Sequence, residues 1–145
     1  MIQLQRLGPQ IADEEGFSRS GIRSFHEYVV LARIPQVDGV AARVVEALDK
    51  RIGHSPMAIE QIADDLNLSK RTLQRRLQQQ DSSFAQLRDS LRFHYAIKYL
   101  IDDHMSVDAV STALDFSDRT SFTNAFKRWT NLSPSVFRKL FRDYA

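Results

Sequence analysis

Cysteine is absent from the 145-residue sequence. Its absence excludes a disulfide scaffold, a Cys-ligated zinc site, a cysteine nucleophile and a thiol redox switch. Long apolar runs are also missing, since the longest, at residues 29–32, is far too short to cross a membrane. Residues 13–15 are acidic where a signal peptide needs an apolar core, so the sequence predicts a cytoplasmic protein with no membrane partner.

Glycine and proline are scarce in the second half of the chain. All five glycines lie at or before Gly53, and after Pro56 only Pro134 interrupts the sequence. A stretch so free of helix breakers, with no alternating Val/Ile/Thr pattern, predicts an all-α fold. Net charge is small as well: the sequence has 20 Lys and Arg and 18 Asp and Glu, which gives +2. A net charge of this size does not by itself indicate a nucleic-acid partner.

Residues 1–38 are predicted to form a partly irregular N-terminal extension. Apolar residues spaced by three, four and three positions favour a short helix over 20–34 that begins near Ser20; they are Ile22, Phe25, Val29 and Ala32. The run at residues 28–31 is equally compatible with a short strand. Residues 35–39 are typical of a linker.

Residues 39–145 are predicted to form one domain of about seven helices. Apolar periodicity places the first four at about 39–52, 59–66, 69–80 and 83–103. Ser106 is a predicted N-cap for the fifth, with Met105 and Val110 spaced as a hydrophobic staple. The sixth carries Phe122, Phe126 and Trp129, and Ser133 with Pro134 opens the last.

An internal repeat runs through this domain at an offset of 48 residues. MAIEQI at 57–62 matches MSVDAV at 105–110 in residue type. Asn67 and Asp115 occupy the equivalent turn, and both residue types tolerate the left-handed conformation that a sharp helix–helix turn needs. The repeat predicts two helix-turn-helix units, at about 57–80 and 105–130. The alternative is a seven-helix bundle with accidental similarity.

The second helix of the first unit carries concentrated positive charge. Residues 69–80 hold four basic residues and no acid. Arg71 and Arg75 lie about 200° round the helix from Leu73 and Leu77, so they point outward together with Gln74 and Gln78. Arginine pairs bidentately with guanine and glutamine with adenine, which indicates a base-reading face. A solvated basic face is the alternative.

The second helix of the second unit has a less basic outer face, which is also suited to contacting bases. Phe122 and Phe126 are predicted to point inward. The residues opposite or beside them are Thr120, Asn124, Arg119, Thr123 and Lys127. Asparagine can pair with adenine, and a threonine methyl can contact a thymine methyl.

The joining helix at 83–103 would be about 31 Å long, and successive major grooves recur every 34–36 Å or so. A monomer is therefore expected to read two adjacent major-groove segments.

Residues 39–142 resemble the AraC/XylS family of bacterial transcription regulators. The most specific segment is DFSDRTSFTNAFKRWTNLSPSVFR at 115–138, and LSKRTLQRRL at 68–77 is similar to the family's first reading helix. The resemblance implies two helix-turn-helix units joined by a long helix. It also implies promoter DNA as a partner and, usually, activation through contact with RNA polymerase.

The resemblance assigns roles to individual residues. It implies base contacts from Arg71, Gln74, Arg75, Arg119, Thr120, Thr123 and Asn124. It implies phosphate contacts from Ser69, Lys70, Arg76, Ser117 and Lys127, together with helix N-termini.

The chain departs from the family pattern in several places. The family usually has glycine at four positions that here are Asn67, Asp81, Asp115 and Asn131. Ala58 stands where a Ser or Thr cap is usual, a change that costs about 1 kcal/mol. Asn124 is often arginine, so the first unit is expected to dominate DNA affinity.

Many members carry a separate effector domain of well over a hundred residues, for which residues 1–38 are too few. We therefore expect a stand-alone member, or an N-terminal segment that is a remnant or a small interaction element. We also expect a monomer or a weak dimer through that segment.

Other functional classes fit the sequence less well. The four histidines show no metal-ligand spacing, and no nucleophile elbow, Walker loop or dinucleotide glycine pattern occurs. The sequence therefore predicts no enzyme, no metal and no cofactor. The alternative function is a protein-interaction module, or a co-regulator that has lost productive DNA binding. In that case the aromatic segment at 25–34 would dock on a partner or on a second copy. The alternative, which the sequence favours, is that this segment packs against the chain's own helices.

Overall fold

The computed structural model describes residues 23–144. Eight α-helices lie in this part of the chain: α1 (Phe25–Leu31), α2 (Gly39–Arg51), α3 (Ile59–Asp65), α4 (Lys70–Gln79), α5 (Phe84–Ile97), α6 (Val107–Ala113), α7 (Arg119–Thr130) and α8 (Pro134–Phe141). A π-helical turn (Lys98–Asp102) continues α5, and a 3₁₀ turn (Arg142–Tyr144) follows α8. No strand occurs within residues 23–144, which confirms the all-α prediction.

The N-terminal helix is shorter than predicted. Ser24 accepts a hydrogen bond from Glu27 N, and the Glu27 side chain accepts one from Ser24 N, so a capping box starts α1 at Phe25 rather than near Ser20. Residues 28–31 are helical, and the strand alternative for them is wrong. Ser20 and Ile22 lie outside the described residues.

The repeat is confirmed by matching hydrogen bonds in the two turns. Asn67 and Asp115 both have left-handed backbones, with φ of 57° and 61°. The next residue closes each turn, because Leu68 N donates to Ala63 O (2.9 Å) and Phe116 N donates to Ser111 O (3.0 Å). Asp81 and Asn131 are also left-handed, and so is His104, which the sequence did not indicate.

Ser106 and Ser133 cap their helices as predicted, and Ser69 and Ser83 cap theirs in the same way. Ser69, Ser83, Ser106 and Ser133 each accept a hydrogen bond from the backbone three residues later. Ala58, as expected, makes no side-chain cap bond. The two helix-turn-helix units are therefore α3–α4 and α6–α7, with α5 between them.

The joining helix is not a single α-helix over 83–103. The α-helical part ends at Ile97 and the last turn widens, with Asp103 N donating to Lys98 O (3.1 Å). Leu100 O in this turn accepts a hydrogen bond from Arg138 Nε of α8 (3.2 Å), a tertiary contact that the local sequence does not encode. At about 1.5 Å per residue, α5 itself is about 21 Å long.

Helix α1 packs against the second unit. Tyr28 is 1% exposed, and its hydroxyl donates to Thr130 O at the end of α7 (2.9 Å). Its ring makes edge contacts with Phe137 and Phe141 of α8. Residues 29–31 of the same helix remain exposed. No helix within residues 23–144 combines the length and the apolar character needed to cross a membrane.

The first turn of α2 depends on a side chain from the end of α4. Asp38 makes no side-chain cap bond; instead Gln80 accepts from Ala41 N and donates to Asp38 O, both at 2.9 Å. Gly39 begins α2 with φ of +60°, and a Cβ there would lie 3.2 Å from the Gln80 amide atoms. Gly39 thus permits both the left-handed backbone and the cap.

We expect Gly39→Ala to lower the free energy of unfolding by about 1–2 kcal/mol, because it strains the backbone and displaces Gln80. Thermal unfolding followed by circular dichroism measures this loss. Gln80→Ala removes the same cap, so the double variant should lose less than the sum of the two single variants. A Gly39→Ala protein that unfolds at the wild-type temperature would contradict this account.

Candidate nucleic-acid interface

The outward face of α4 places the predicted base-contact residues together. Leu73 and Leu77 are buried, 0% and 1% exposed, and hold α4 against the core. Arg71, Gln74 and Arg75 lie on the exposed surface of this helix. Their side chains make no hydrogen bond or ion pair with any other residue in 23–144, so their donors are available to a ligand.

The predicted phosphate-contact residues of the first unit differ in availability. Arg76 is exposed and its side chain has no partner among the described residues. Lys70 Nζ forms an exposed ion pair with Glu60 Oε2 (3.2 Å). Ser69 Oγ donates its hydrogen to Thr72 Oγ1 (2.9 Å) while accepting from Thr72 N. A phosphate contact from the Ser69 hydroxyl would therefore have to displace the bond to Thr72.

The outward face of α7 carries the remaining predicted base contacts. Phe122 and Phe126 are fully buried on its inner side. Thr120 and Asn124 are exposed and Thr123 is half-buried. Two residues complete this face: Arg119, which lies 3.5 Å from Asp108 Oδ1, and the exposed Lys127.

Helices α4 and α7 have different electrostatics at their N-termini. A neutral serine caps α4, but Asp118 caps α7 and accepts from Ser121 N (2.7 Å). That hydrogen bond lowers the pKa of Asp118, so the cap is an anion at neutral pH. A carboxylate there offsets the helix dipole that would otherwise attract a phosphate. Ser117 Oγ is already paired with Ser121 Oγ (3.1 Å).

Equivalent ion pairs join the two helices of each unit. Glu60 pairs with Lys70 in the first unit, and Asp108 pairs with Arg119 in the second. Hydrogen bonds from its own backbone and from Lys70 lower the pKa of Glu60, which stays ionised. Both pairs are exposed, so they orient the cations more than they stabilise the fold.

Arg92 on α5 is an important residue that the sequence reading missed. It is 6% exposed, and its guanidinium donates to Leu114 O (2.8 Å) and Asp115 O (2.7 Å) in the turn of the second unit. The guanidinium carbon lies 4.0 Å from the centre of the Phe116 ring. Burial lowers the pKa of Arg92 to about 10, so it remains a cation at neutral pH.

A sequence signal for Arg92 exists in the helix before the first unit. Arg43 on α2 donates to Leu66 O (3.3 Å), the carbonyl equivalent to that of Leu114. The repeat therefore includes the preceding helix, with α2 matching α5 at an offset of 49 residues. Each turn is supported by an arginine from the helix before its unit.

Direct hydrogen bonds connect the two units. Gly53 N donates to Ala113 O (3.0 Å), and Met57 N donates to Asp115 Oδ2 (2.8 Å). The end of α6 and the following turn are therefore hydrogen-bonded to the segment that connects α2 and α3. Together with Arg92, these bonds place α4 and α7 in one framework.

Comparison with known proteins agrees with this architecture. A family model described as a helix-turn-helix domain matches residues 62–140. The chain belongs to the AraC/XylS family of helix-turn-helix transcription regulators. As an AraC-type chain, it shows the two units and the connecting helix that the resemblance implied.

Curated relatives of this AraC-type chain are much longer than the match. The ornithine utilization regulator of Pseudomonas aeruginosa is 32% identical over 110 residues, which cover 76% of this chain and 32% of the relative. The urease operon transcriptional activator of Escherichia coli is 34% identical over 80 residues, or 55% of this chain and 27% of the relative. The chain thus spans about a third of the length of these relatives.

Solved structures share the fold. The regulator CdpR from Pseudomonas aeruginosa aligns with a TM-score of 0.63 and 30% identity over 70% of this chain and 32% of that one. The DNA-binding domain of AdpA, solved with a target DNA, aligns with a TM-score of 0.61 and 26% identity, covering 74% of this chain and 96% of that chain.

Proposed function

We propose that the chain binds promoter DNA sequence-specifically, reading two adjacent major-groove segments with α4 and α7. The observation that carries this proposal is the pair of exposed polar faces on these helices, held in one framework by α5 and the bonds between units. On α4 the side chains best suited to base contacts have no partner within residues 23–144. The solved AdpA domain, whose structure contains DNA, supports the choice of ligand.

The residue roles keep their predicted assignment within this proposal. Base contacts come from Arg71, Gln74, Arg75, Arg119, Thr120, Thr123 and Asn124, and phosphate contacts from Ser69, Lys70, Arg76, Ser117 and Lys127. The neutral cap of α4 and the acidic cap of α7 favour the first unit as the larger source of affinity. Two relatives that are named as transcriptional activators support a role in activation. Contact with RNA polymerase and action in the cytoplasm are parts of the same proposal.

A protein-interaction module is the second candidate, and exposed apolar residues favour it. Val29, Val30 and Leu31 of α1 are 43–51% exposed, and Val136 and Leu140 of α8 are each 44% exposed. A weak dimer through the N-terminal segment would use the same α1 surface. Salt separates the candidates, because phosphate contacts weaken steeply as salt rises and apolar contacts do not.

Selection of duplexes from a random library by the full chain tests the proposal. We expect two enriched segments with centres about 10 bp apart, bound with an affinity that falls steeply with salt. Lys127→Ala should reduce the slope of log affinity against log salt by about one. Lys139→Ala, an exposed lysine on α8, is the matched control and should leave the slope unchanged. Failure to enrich any duplex, with salt-insensitive binding to a protein, would favour the second candidate.

A further inference from the structure

Asp115 has a side-chain contact that its turn does not require. The turn needs a residue that tolerates a left-handed backbone, and Asp115 meets that need with φ of 61°. In addition, its Oδ2 accepts a hydrogen bond from Met57 N (2.8 Å), which belongs to the segment just before α3 of the first unit. The carboxylate therefore connects the turn of the second unit to the start of the first.

The equivalent turn of the first unit provides an internal comparison. Asn67 has nearly the same backbone, with φ of 57°, and is exposed. Its side chain makes no hydrogen bond to any other residue in 23–144. The two turns share the same backbone hydrogen bonds, so the contact from Asp115 is an addition to the motif rather than a part of it.

Four hydrogen bonds converge on residues 113–115, and they differ in what a substitution can remove. Gly53 N and Arg92 reach the carbonyls of Ala113, Leu114 and Asp115, and these acceptors persist whatever side chain stands at 115. The bond from Met57 N alone uses the side chain. A change at 115 can therefore loosen the contact between units by removing one of its two hydrogen bonds, while the Gly53 N–Ala113 O bond, the turn and the Arg92 bonds remain.

We propose that Asp115 is a positioning residue that fixes the separation of α4 and α7, and so makes the protein select DNA by the spacing of its two segments. The inference rests on the proposed function, because spacing has meaning only if both helices read DNA. Asp115 itself need not touch DNA. A hinge at this contact would let α7 move relative to α4, and sites with altered spacing would then be accepted.

Binding to duplexes with altered spacing tests the proposal. The selected site is compared with versions that carry one or two base pairs inserted or deleted between the segments. The wild-type chain should lose affinity sharply on these, and Asp115→Gly should reduce that discrimination about fivefold, the equivalent of one hydrogen bond. Asp115→Asn should restore it, since an amide oxygen can also accept from Met57 N. Asn67→Gly, the matched control, should behave as wild type.

A measurement without DNA separates this proposal from the proposed function. The chain has no cysteine, so spin labels at Gln78→Cys on α4 and Ala109→Cys on α6, both exposed, report one distance between units. Asp115→Gly should broaden the distribution of that distance, and Asn67→Gly should not. The role of Asp115 would be overturned if the wild-type and Asp115→Gly chains gave distance distributions of equal width. It would also be overturned if both chains lost affinity equally on duplexes of altered spacing. If Asp115→Gly broadened the distribution but the wild-type chain bound no duplex, Asp115 would still be a positioning residue and the proposed DNA-binding function would be wrong.

Discussion

Arg92→Met should lower the free energy of unfolding by about 3 kcal/mol. The substitution removes two charge-assisted hydrogen bonds, each worth about 1.5–3 kcal/mol, and leaves the carbonyls of Leu114 and Asp115 without that donor. It also removes the contact with the Phe116 ring. We place the loss below the sum because the buried guanidinium bears a desolvation cost, and this is the cause of its lowered pKa.

Urea unfolding followed by circular dichroism measures this loss. Arg43→Met is the matched control, because Arg43 makes the equivalent contact with Leu66 O from a more exposed position and at a longer distance, 3.3 Å. Its loss should stay below about 1 kcal/mol. Similar effects at the two positions, or a neutral Arg92→Met, would show that the burial of Arg92 contributes no special stability.

Arg75→Ala and Gln74→Ala should each weaken binding to the selected duplex by about 1–3 kcal/mol, roughly 5- to 150-fold. The reason is that each removes a candidate bidentate contact to a base edge. Neither side chain makes a hydrogen bond or ion pair within residues 23–144, so stability should change little. Binding to an unrelated duplex should also change little for Gln74→Ala, because glutamine carries no charge.

Fluorescence anisotropy with the selected and the unrelated duplex measures both effects. Arg33→Ala is the control, since Arg33 is exposed between α1 and α2 and away from α4 and α7 in the sequence. If Gln74→Ala and Arg75→Ala bound the selected duplex as tightly as wild type, α4 would not read the bases.

Local chemistry made most of the fold predictable. The repeat, the serine caps and the left-handed turns at Asn67 and Asp115 depend on residues within one or two turns of each other, and the structure confirms them. The exposure of Arg71 and Arg75 followed from their position opposite Leu73 and Leu77. Helical periodicity is enough to separate an inner from an outer face.

Contacts between distant segments were not predictable in the same way. The widened turn after α5 accepts a hydrogen bond from Arg138 of α8, and the start of α2 is capped by Gln80. The shortening of α1 had a local signal, the Ser24–Glu27 capping box, which the apolar pattern alone did not show. Asp118, the N-cap of α7, also has a local signal, because aspartate is among the preferred N-cap residues.

The sequence by itself determined that this chain forms two helix-turn-helix units with polar outer faces, because periodicity, caps and turn residues act over a few positions. The tertiary structure decided how the units are joined. Arg92, Asp115 and Met57 are 23 to 58 residues apart, and only folding brings the guanidinium, the carboxylate and the backbone N–H within hydrogen-bonding distance of their partners. Local patterns therefore set the class of protein, and packing between distant segments sets how its two units are placed.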